Sequence, residues 1–515
     1  MTAKPFYVTT AIAYPNGLPH IGYAYELIAT DAIARWARLS GRDTYFLTGT
    51  DYHGIKMVQT AAAQNTSVRE LADRNTAEFR RLTGVLNISN DDFIHTEEPR
   101  HYAASQAIWQ RMVDNGDIYL GGYEGWYSVR DEAYFDEEEL TEGTGGKKFA
   151  PTGAEVEWVV EPSYFFRLSA YQQKLIDLFE GNPDFLAPKE RWNEVLSFIK
   201  GGLRDLSISR TTFNWGIPVP DAAEHIMYVW VDALTNYITG VGFPDEQSEL
   251  FKKFWPANLH VIGKDIIRFH TVYWPAFLMS AGIEVQHRVF AHGFLTVDGQ
   301  KMSKSLGNVV DPFELAEEFG VDQLRYFLLR EVSFGQDGDY SRDKLVNRVN
   351  ADLANNLGNL AQRSLSMINK NCDGLVPEYA GATPDDDAIV EQVDAALAEA
   401  QRAMDAQLVH EGAGAIISAL SAANNYFAAQ EPWALKKTDP ARMGSVLYLT
   451  ADVVRRLTIP LLAFVPQSAN AILDQLAVPA DERTLAAAQV SKGLHSGTPL
   501  PAPQGVFARL ERKAS

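Results

Sequence analysis

The sequence predicts a doubly wound α/β fold on a parallel sheet, split by an inserted module and followed by an all-helical domain. Three observations carry that prediction. A β-branched and aromatic run, Phe6-Tyr7-Val8-Thr9-Thr10, leads through a Pro/Gly turn and a helical pattern to a second such run, Thr44-Tyr45-Phe46-Leu47-Thr48; this is the opening of a strand–helix–strand unit. Strand-like apolar runs of that kind resume only near His225, after a stretch of different texture. From about Asp311 onward nearly all the chain has helical periodicity. On this division residues 1–115 and 225–310 are two halves of one α/β domain, 116–224 are inserted between them, 311–350 link, and 351–515 form a helical domain and tail.

A chain of 515 residues exceeds one compact domain. Its 46% hydrophobic and 22% charged residues are the balance of a soluble globular protein. No apolar run approaches the roughly 20 residues that cross a bilayer, and the N-terminus does not read as a signal peptide. Cys372 is the only cysteine, which excludes an internal disulfide and any multi-cysteine zinc site; a reducing cytoplasm is the expected location. The net charge of −20 disfavours a nonspecific nucleic-acid coat but leaves room for docking one structured RNA through a local basic face. Acidic runs such as 136–139 and 385–387 read as solvated surface.

Taken in order, the turn Tyr14-Pro15-Asn16-Gly17-Leu18-Pro19-His20-Ile21-Gly22-Tyr23 precedes a helix with Ala24, Leu27, Ile28, Ala32, Ile33, Trp36 and Leu39 on one face and Gly41 at its end. Backbone N–H groups and the dipole at such a helix start favour an anion. Gly22 admits a large ligand close to the backbone, and His20 donates to a phosphate without a full charge at neutral pH. Read in isolation, the segment is better explained as an ordinary structural turn. Asp51 and His53, in Gly49-Thr50-Asp51-Tyr52-His53-Gly54, fall at the carboxyl end of the second strand, where such sheets bind ligands; helix N-capping is the other reading of Asp51. Residues 55–114 read as helices, and short strands follow around 119–135 and 156–160.

Beyond the insertion, residues 226–231 form a continuous apolar run expected of a strand buried on both faces, with Asp232 at its carboxyl end. Strands are expected over 259–262 and 288–292, separated by Gly263-Lys264-Asp265 and a helix bearing Phe269, His270 and Tyr273. An Asp298-Gly299 turn then enters Lys301-Met302-Ser303-Lys304-Ser305. Two lysines three apart, flanked by Gly299 and Gly307, make a flexible cationic loop able to close over a polyphosphate; as a bare pentamer it is an ordinary basic turn. Helices follow at 343–369, 387–407, 411–428 and 441–458, and the end around Arg509, Arg512 and Lys513 reads as a mobile or surface-packed tail.

Together, His20-Ile21-Gly22-Tyr23 and 301–305 resemble the two signatures of class I aminoacyl-tRNA synthetases. Ala11-Ile12-Ala13-Tyr14-Pro15-Asn16-Gly17, Gly49-Thr50-Asp51, Tyr228-Val229-Trp230-Val231-Asp232-Ala233 and Ile262-Gly263-Lys264-Asp265-Ile266 narrow the resemblance to the methionyl-tRNA synthetases, in a bacterial short form without zinc-knuckle cysteines. Tyr23 departs from the usual second histidine of the first signature, and Tyr52 from a glutamate common among relatives. The resemblance implies a Rossmann-type catalytic domain and ATP-dependent attachment of methionine to tRNA(Met), initiator tRNA included, through methionyl-adenylate. It implies catalysis by His20, Gly22, Tyr23, Lys301 and Lys304, with Glu26, Gly263, Asp265 and His292 also at the ATP. It places methionine among Ile12, Tyr14, Asp51, Trp230, Ala233, Tyr237 and His270, and the anticodon at Asn359, Arg363 and Trp433. Trp433 after Pro432 otherwise reads as a helix-start anchor, and Trp230 and Tyr237 as core. Mg²⁺ is expected to arrive with ATP, no structural zinc is expected, and 123–134 is expected to be a metal-free knuckle held by aromatic packing. A monomer is expected. The alternatives are another class I synthetase, a nucleotidylyltransferase, or an inactive synthetase-like RNA-binding protein.

Overall fold

The computed structural model describes residues 4–143, 146–302 and 307–511. Strand β1 (Pro5–Thr10) is followed by helix α1 (Ile21–Leu39), whose N-terminus is capped by the His20 side chain accepting from the Gly22 N–H. The helix stops at Ser40, and Gly41 takes the left-handed φ of +79° that a side chain resists. Strand β2 (Asp43–Thr50) then pairs in parallel with β1, Val8 opposite Phe46.

Helices α2 (Ile55–Ala63) and α3 (Val68–Val85) precede strand β3 (Asp92–His95) and helix α4 (Pro99–Asp114). The sequence reading of 55–114 as helices is corrected here, since β3 pairs in parallel with β2 from Leu47–Asp92 to Thr50–His95. Four residues with two apolar side chains are too few to show a period of two. What makes them a strand is the open edge of β2.

The inserted stretch opens with β4 (Ile118–Ser128), turns back as β5 (Ala133–Phe135) and returns as β6 (Glu155–Phe166), a long antiparallel ribbon. Strand β7 (Leu186–Ala187) comes from the same stretch yet pairs in parallel with the central sheet. Strand β8 (Ala222–Met227) lies in a small antiparallel sheet, and helix α5 (Val229–Thr239) starts directly after Tyr228. The expected central strand over 226–231 is therefore a correction: half of it is helix, and Asp232 sits in the first turn of α5. A short apolar run does not distinguish a buried strand from a buried helix start, and an acidic residue suits the positive end of the helix dipole.

With β9 (Leu259–Gly263) and β10 (Val289–His292), the central sheet has the order β3-β2-β1-β9-β10-β7, all parallel. The order reverses between β1 and β9, the crevice in which such sheets bind ligands. Helix α6 (Val321–Glu331) leads to a helical domain containing α7 (Asn359–Asn371), α8 (Pro384–Asp405), α9 (Val409–Ala429), α10 (Pro432–Thr438) and α11 (Pro440–Leu461). Between 342 and 371 the helix widens to a π-helical stretch, Asn350–Gly358. The tail packs on the surface as far as Leu510, whose N–H meets Asn350 Oδ1 at 2.8 Å. Arg325 of α6 is fully buried, 2.6 Å from Asp31 of α1, and donates to the carbonyls of Leu86, Ala463 and Phe464. One continuous apolar core thus joins α1 to the C-terminal helices. Among the described residues, no helix is long and apolar enough to cross a membrane.

Candidate active site

After β1 the backbone stays on the carboxyl edge of the sheet, with Ala13 N–H on Gly49 O (2.9 Å) and Asp51 N–H on Ala13 O (2.8 Å). This brings Ile12, Tyr14 and Asp51 to one side of a cavity of about 490 Å³. Trp230, Ala233 and Tyr237 of α5 form a second wall, Asp265, Phe269 and His270 a third, and Glu132 and Tyr134 of the inserted ribbon a fourth. All seven residues expected around methionine line this one space, and Asp265 joins them.

The walls are rigid for identifiable reasons. Trp230 stacks on Phe269 with ring centres 3.8 Å apart. His270 lies in a π-helical turn, Phe269–Tyr273, a local widening often found at functional sites. Its Nδ1–H donates to Ile266 O at 2.9 Å, which leaves Nε2 to accept from the Tyr237 hydroxyl at 2.6 Å. Burial pushes the His270 imidazole down to about 4, so it is neutral at pH 7. Tyr and Trp edges around an apolar space suit a thioether sulfur.

Asp51 is the one carboxylate among the seven residues expected around methionine. Its Oδ1 accepts from the His53 N–H at 3.1 Å and faces the Thr96 hydroxyl at 3.4 Å. Burial, with the nearby Asp232 carboxylate, raises the Asp51 carboxyl well above the usual range. A cationic ligand entering the cavity offsets that penalty. Behind it, His53 Nδ1 lies 2.5 Å from Asp232 Oδ2 and its Nε2 3.1 Å from Glu97 Oε1. Burial opposes a charged ring, yet the two carboxylates outweigh it and hold His53 up to about 10. Asp232 also meets His101 Nε2 at 2.7 Å.

At the helix start, His20 is exposed and its Nδ1 accepts from the Gly22 N–H at 3.0 Å, so the neutral ring carries its proton on Nε2. A Cβ at Gly22 would lie 2.9 Å from the His20 ring and 3.7 Å from the Met302 methyl group. The start of the cationic loop therefore lies over the same point. Lys301 is exposed on the hairpin that pairs it with Thr296, whereas Ser303, Lys304 and Ser305 lie outside the described residues. Tyr23 packs edge-on against Phe79 (4.8 Å), and the ring does not line the cavity. Glu26 and His292 form a buried pair at 2.8 Å. A Cβ at Gly263 would collide with Asp265 Oδ1 at 2.6 Å.

In the helical domain, Asn359 and Arg363 share one face of α7, and the Arg363 guanidinium lies 5.7 Å from the ring of Trp433, which is 46% exposed. Arg342, Lys344 and Arg348 pair with Glu318, Asp339 and Glu331 respectively, which largely neutralises their positive charge. The ribbon at 127–134 packs through Tyr127 and Tyr134 (4.8 Å), and the Arg210 guanidinium lies 4.5 Å from both Tyr134 and Tyr228. Sequence reasoning passed over Glu132, Glu97 and His101. Each acts across elements remote in the chain, and no local spacing marks it.

A parallel sheet that gathers a His-x-Gly helix start and a lysine-bearing loop over one crevice is the architecture of a class I aminoacyl-tRNA synthetase. Residues 6–365 match the family model described as class I tRNA synthetases (M), and residues 376–515 that of the anticodon binding domain of methionyl tRNA ligase. The chain belongs to the methionyl-tRNA synthetase family. It is 65% identical over 509 residues to the methionine--tRNA ligase of Brucella suis, covering 99% of this chain and 98% of the relative. It is 61% identical over 506 residues to that of Rhizobium meliloti, covering 98% of each. The Mycobacterium tuberculosis methionyl-tRNA synthetase in complex with methionyl-adenylate superposes with a TM-score of 0.96 at 56% identity, covering 98% of this chain and 100% of that one. The free-state enzyme of that organism superposes with a TM-score of 0.89 at 53% identity, covering 99% of each chain.

Proposed function

We propose that the cavity between the first turn, α5 and the inserted ribbon holds methionine, and that ATP lies along its edge at the start of α1. The chain is a methionine--tRNA ligase, joining methionine to tRNA through methionyl-adenylate with release of pyrophosphate and AMP. The observation that carries the site assignment is the convergence of Asp51 with Ile12, Tyr14, Trp230, Ala233, Tyr237 and His270 on one cavity. The substrate ammonium pairs with Asp51, and the thioether lies against the neutral Tyr237–His270 wall.

The methionine carboxylate attacks the α-phosphorus already ionised, so no strong general base is needed; positioning and charge stabilisation carry the step. His20 donates from Nε2 to the phosphates. Lys301 and Lys304 neutralise the departing pyrophosphate, and Mg²⁺ enters with the nucleotide, whose phosphates are its natural ligands. Glu26 and His292 brace the crevice beneath the nucleotide, Gly263 and Asp265 bound it on the β9 side, and Tyr23 supports α1 through packing on Phe79. Asn359 and Arg363 meet base edges of the anticodon while Trp433 stacks on one base, the usual mode for single-stranded loops. Both elongator and initiator tRNA(Met) are the proposed partners of this monomeric, cytoplasmic enzyme. ATP–pyrophosphate exchange measured with each amino acid tests the reading: exchange is expected with methionine, and its absence would overturn it.

A further inference from the structure

Glu132 lies in the inserted ribbon, between β4 and β5, yet its carboxylate lines the cavity assigned to methionine. It is 6% exposed and holds a left-handed φ of +50°, a conformation that a residue with a side chain keeps only when its surroundings impose it. Three donors from three elements meet the carboxylate. The Lys56 N–H reaches Oε1 at 3.2 Å, the Tyr14 hydroxyl reaches the same oxygen at 3.3 Å, and the Tyr127 hydroxyl donates to Oε2. The Glu132 carbonyl accepts in turn from the Tyr228 hydroxyl, at the entrance to α5.

Two details give this contact direction. Helix α2 has no side-chain cap of its own, because Gly54 occupies its N-cap position. Glu132 supplies the missing acceptor and a negative charge at the positive end of that helix. Gly54 also permits the approach: a Cβ there would lie 2.3 Å from the Tyr14 hydroxyl and 2.7 Å from Glu132 Oε1. Tyr14 is thus wedged between Gly54 and Glu132 and has one position from which to face the cavity.

We propose that Glu132 is a positioning residue of the methionine site, a carboxylate delivered by the inserted ribbon that fixes the Tyr14 hydroxyl and the first turn of α2 against the cavity. The inference rests on the assignment of the cavity to methionine. It makes the inserted ribbon a wall of the amino-acid pocket.

The test is methionine-dependent ATP–pyrophosphate exchange in the full chain. Glu132→Ala removes the acceptor shared by three donors and is expected to raise the KM for methionine about tenfold, leaving the KM for ATP within about twofold. Glu132→Gln keeps the size and an acceptor oxygen and is expected to restore most of the affinity. In a Tyr14→Phe background Glu132→Ala is expected to add little, because the two residues act as one unit. An unchanged methionine KM in folded Glu132→Ala, an equal rise in the KM for ATP, or additive effects with Tyr14→Phe would overturn the proposal. If Glu132→Ala does not fold, Tyr127→Phe removes one anchor of the carboxylate. It is expected to raise the methionine KM roughly threefold, and no rise would count against Glu132. Asp51→Asn separates the two levels of inference. If it leaves methionine binding intact, the cavity assignment fails; if it weakens binding while Glu132→Ala does not, only the role of Glu132 fails.

Discussion

His53 carries a buried charge between Asp232 and Glu97, and that charge has a measurable consequence. Its folded-state value of about 10 lies above the roughly 6.5 of an unfolded histidine. The stabilisation is therefore complete below about pH 6.5 and is lost as pH rises through 10. His270 works in the opposite sense: held down to about 4, it favours the fold above pH 6.5 and loses that contribution as pH falls through 4. Urea midpoints from pH 4 to 10 are expected to fall at both ends. His53→Gln should flatten the alkaline limb, and a limb unchanged in that variant would mean the ring is not held charged. At the same scale, Asp51→Asn removes the only full charge offered to the substrate ammonium by the methionine set. A loss of roughly a hundredfold or more in kcat/KM for methionine is expected, in line with 3 kcal/mol or so for a buried charged partner.

Helix α1 was legible in the sequence because its apolar face and Gly41 speak locally, whereas the capping role of the His20 side chain was not foreseen. Strand β3 was not, since its identity depends on the edge of β2 that it covers. The entrance to α5 was misread for a related reason: an apolar run buried on all sides carries no periodicity. That Trp230 and Tyr237 line one cavity with Asp51 was legible only through resemblance to a family, since by composition alone they are core residues. Glu132 escaped because its partners, Tyr14, Lys56 and Tyr127, lie on three separate elements. The junction of α7 and α10 allows a test of how the elements divide their labour. Trp433→Ala removes an exposed ring beside Arg363, and stacking on a base is worth about 1–3 kcal/mol. The KM for tRNA in aminoacylation is expected to rise roughly 5- to 150-fold, while ATP–pyrophosphate exchange without tRNA stays unchanged. A fall in exchange would mean that Trp433 supports the fold instead.

Across the whole molecule, Arg325 is the point where the α/β domain and the C-terminal helices are locked together. Its guanidinium meets the Asp31 carboxylate and three backbone carbonyls drawn from both sides, all inside one core. Arg325→Met strands those acceptors and leaves Asp31 with Arg35 and Ser89. A destabilisation of roughly 3 kcal/mol is expected, with a single calorimetric transition splitting into two; an unsplit transition at the wild-type temperature would show that the core holds without the arginine. The same arrangement sets α1, and with it His20 and Gly22, in register with the helices that carry Trp433. The assignment of the cavity is tested most directly by a crystal structure of the chain soaked with methionine and ATP in the absence of tRNA. The expected result is methionyl-adenylate with its ammonium on Asp51, its thioether against Tyr237 and His270, and its phosphate beside His20. Adenylate bound elsewhere, or a methionine side chain directed away from Trp230, would contradict it.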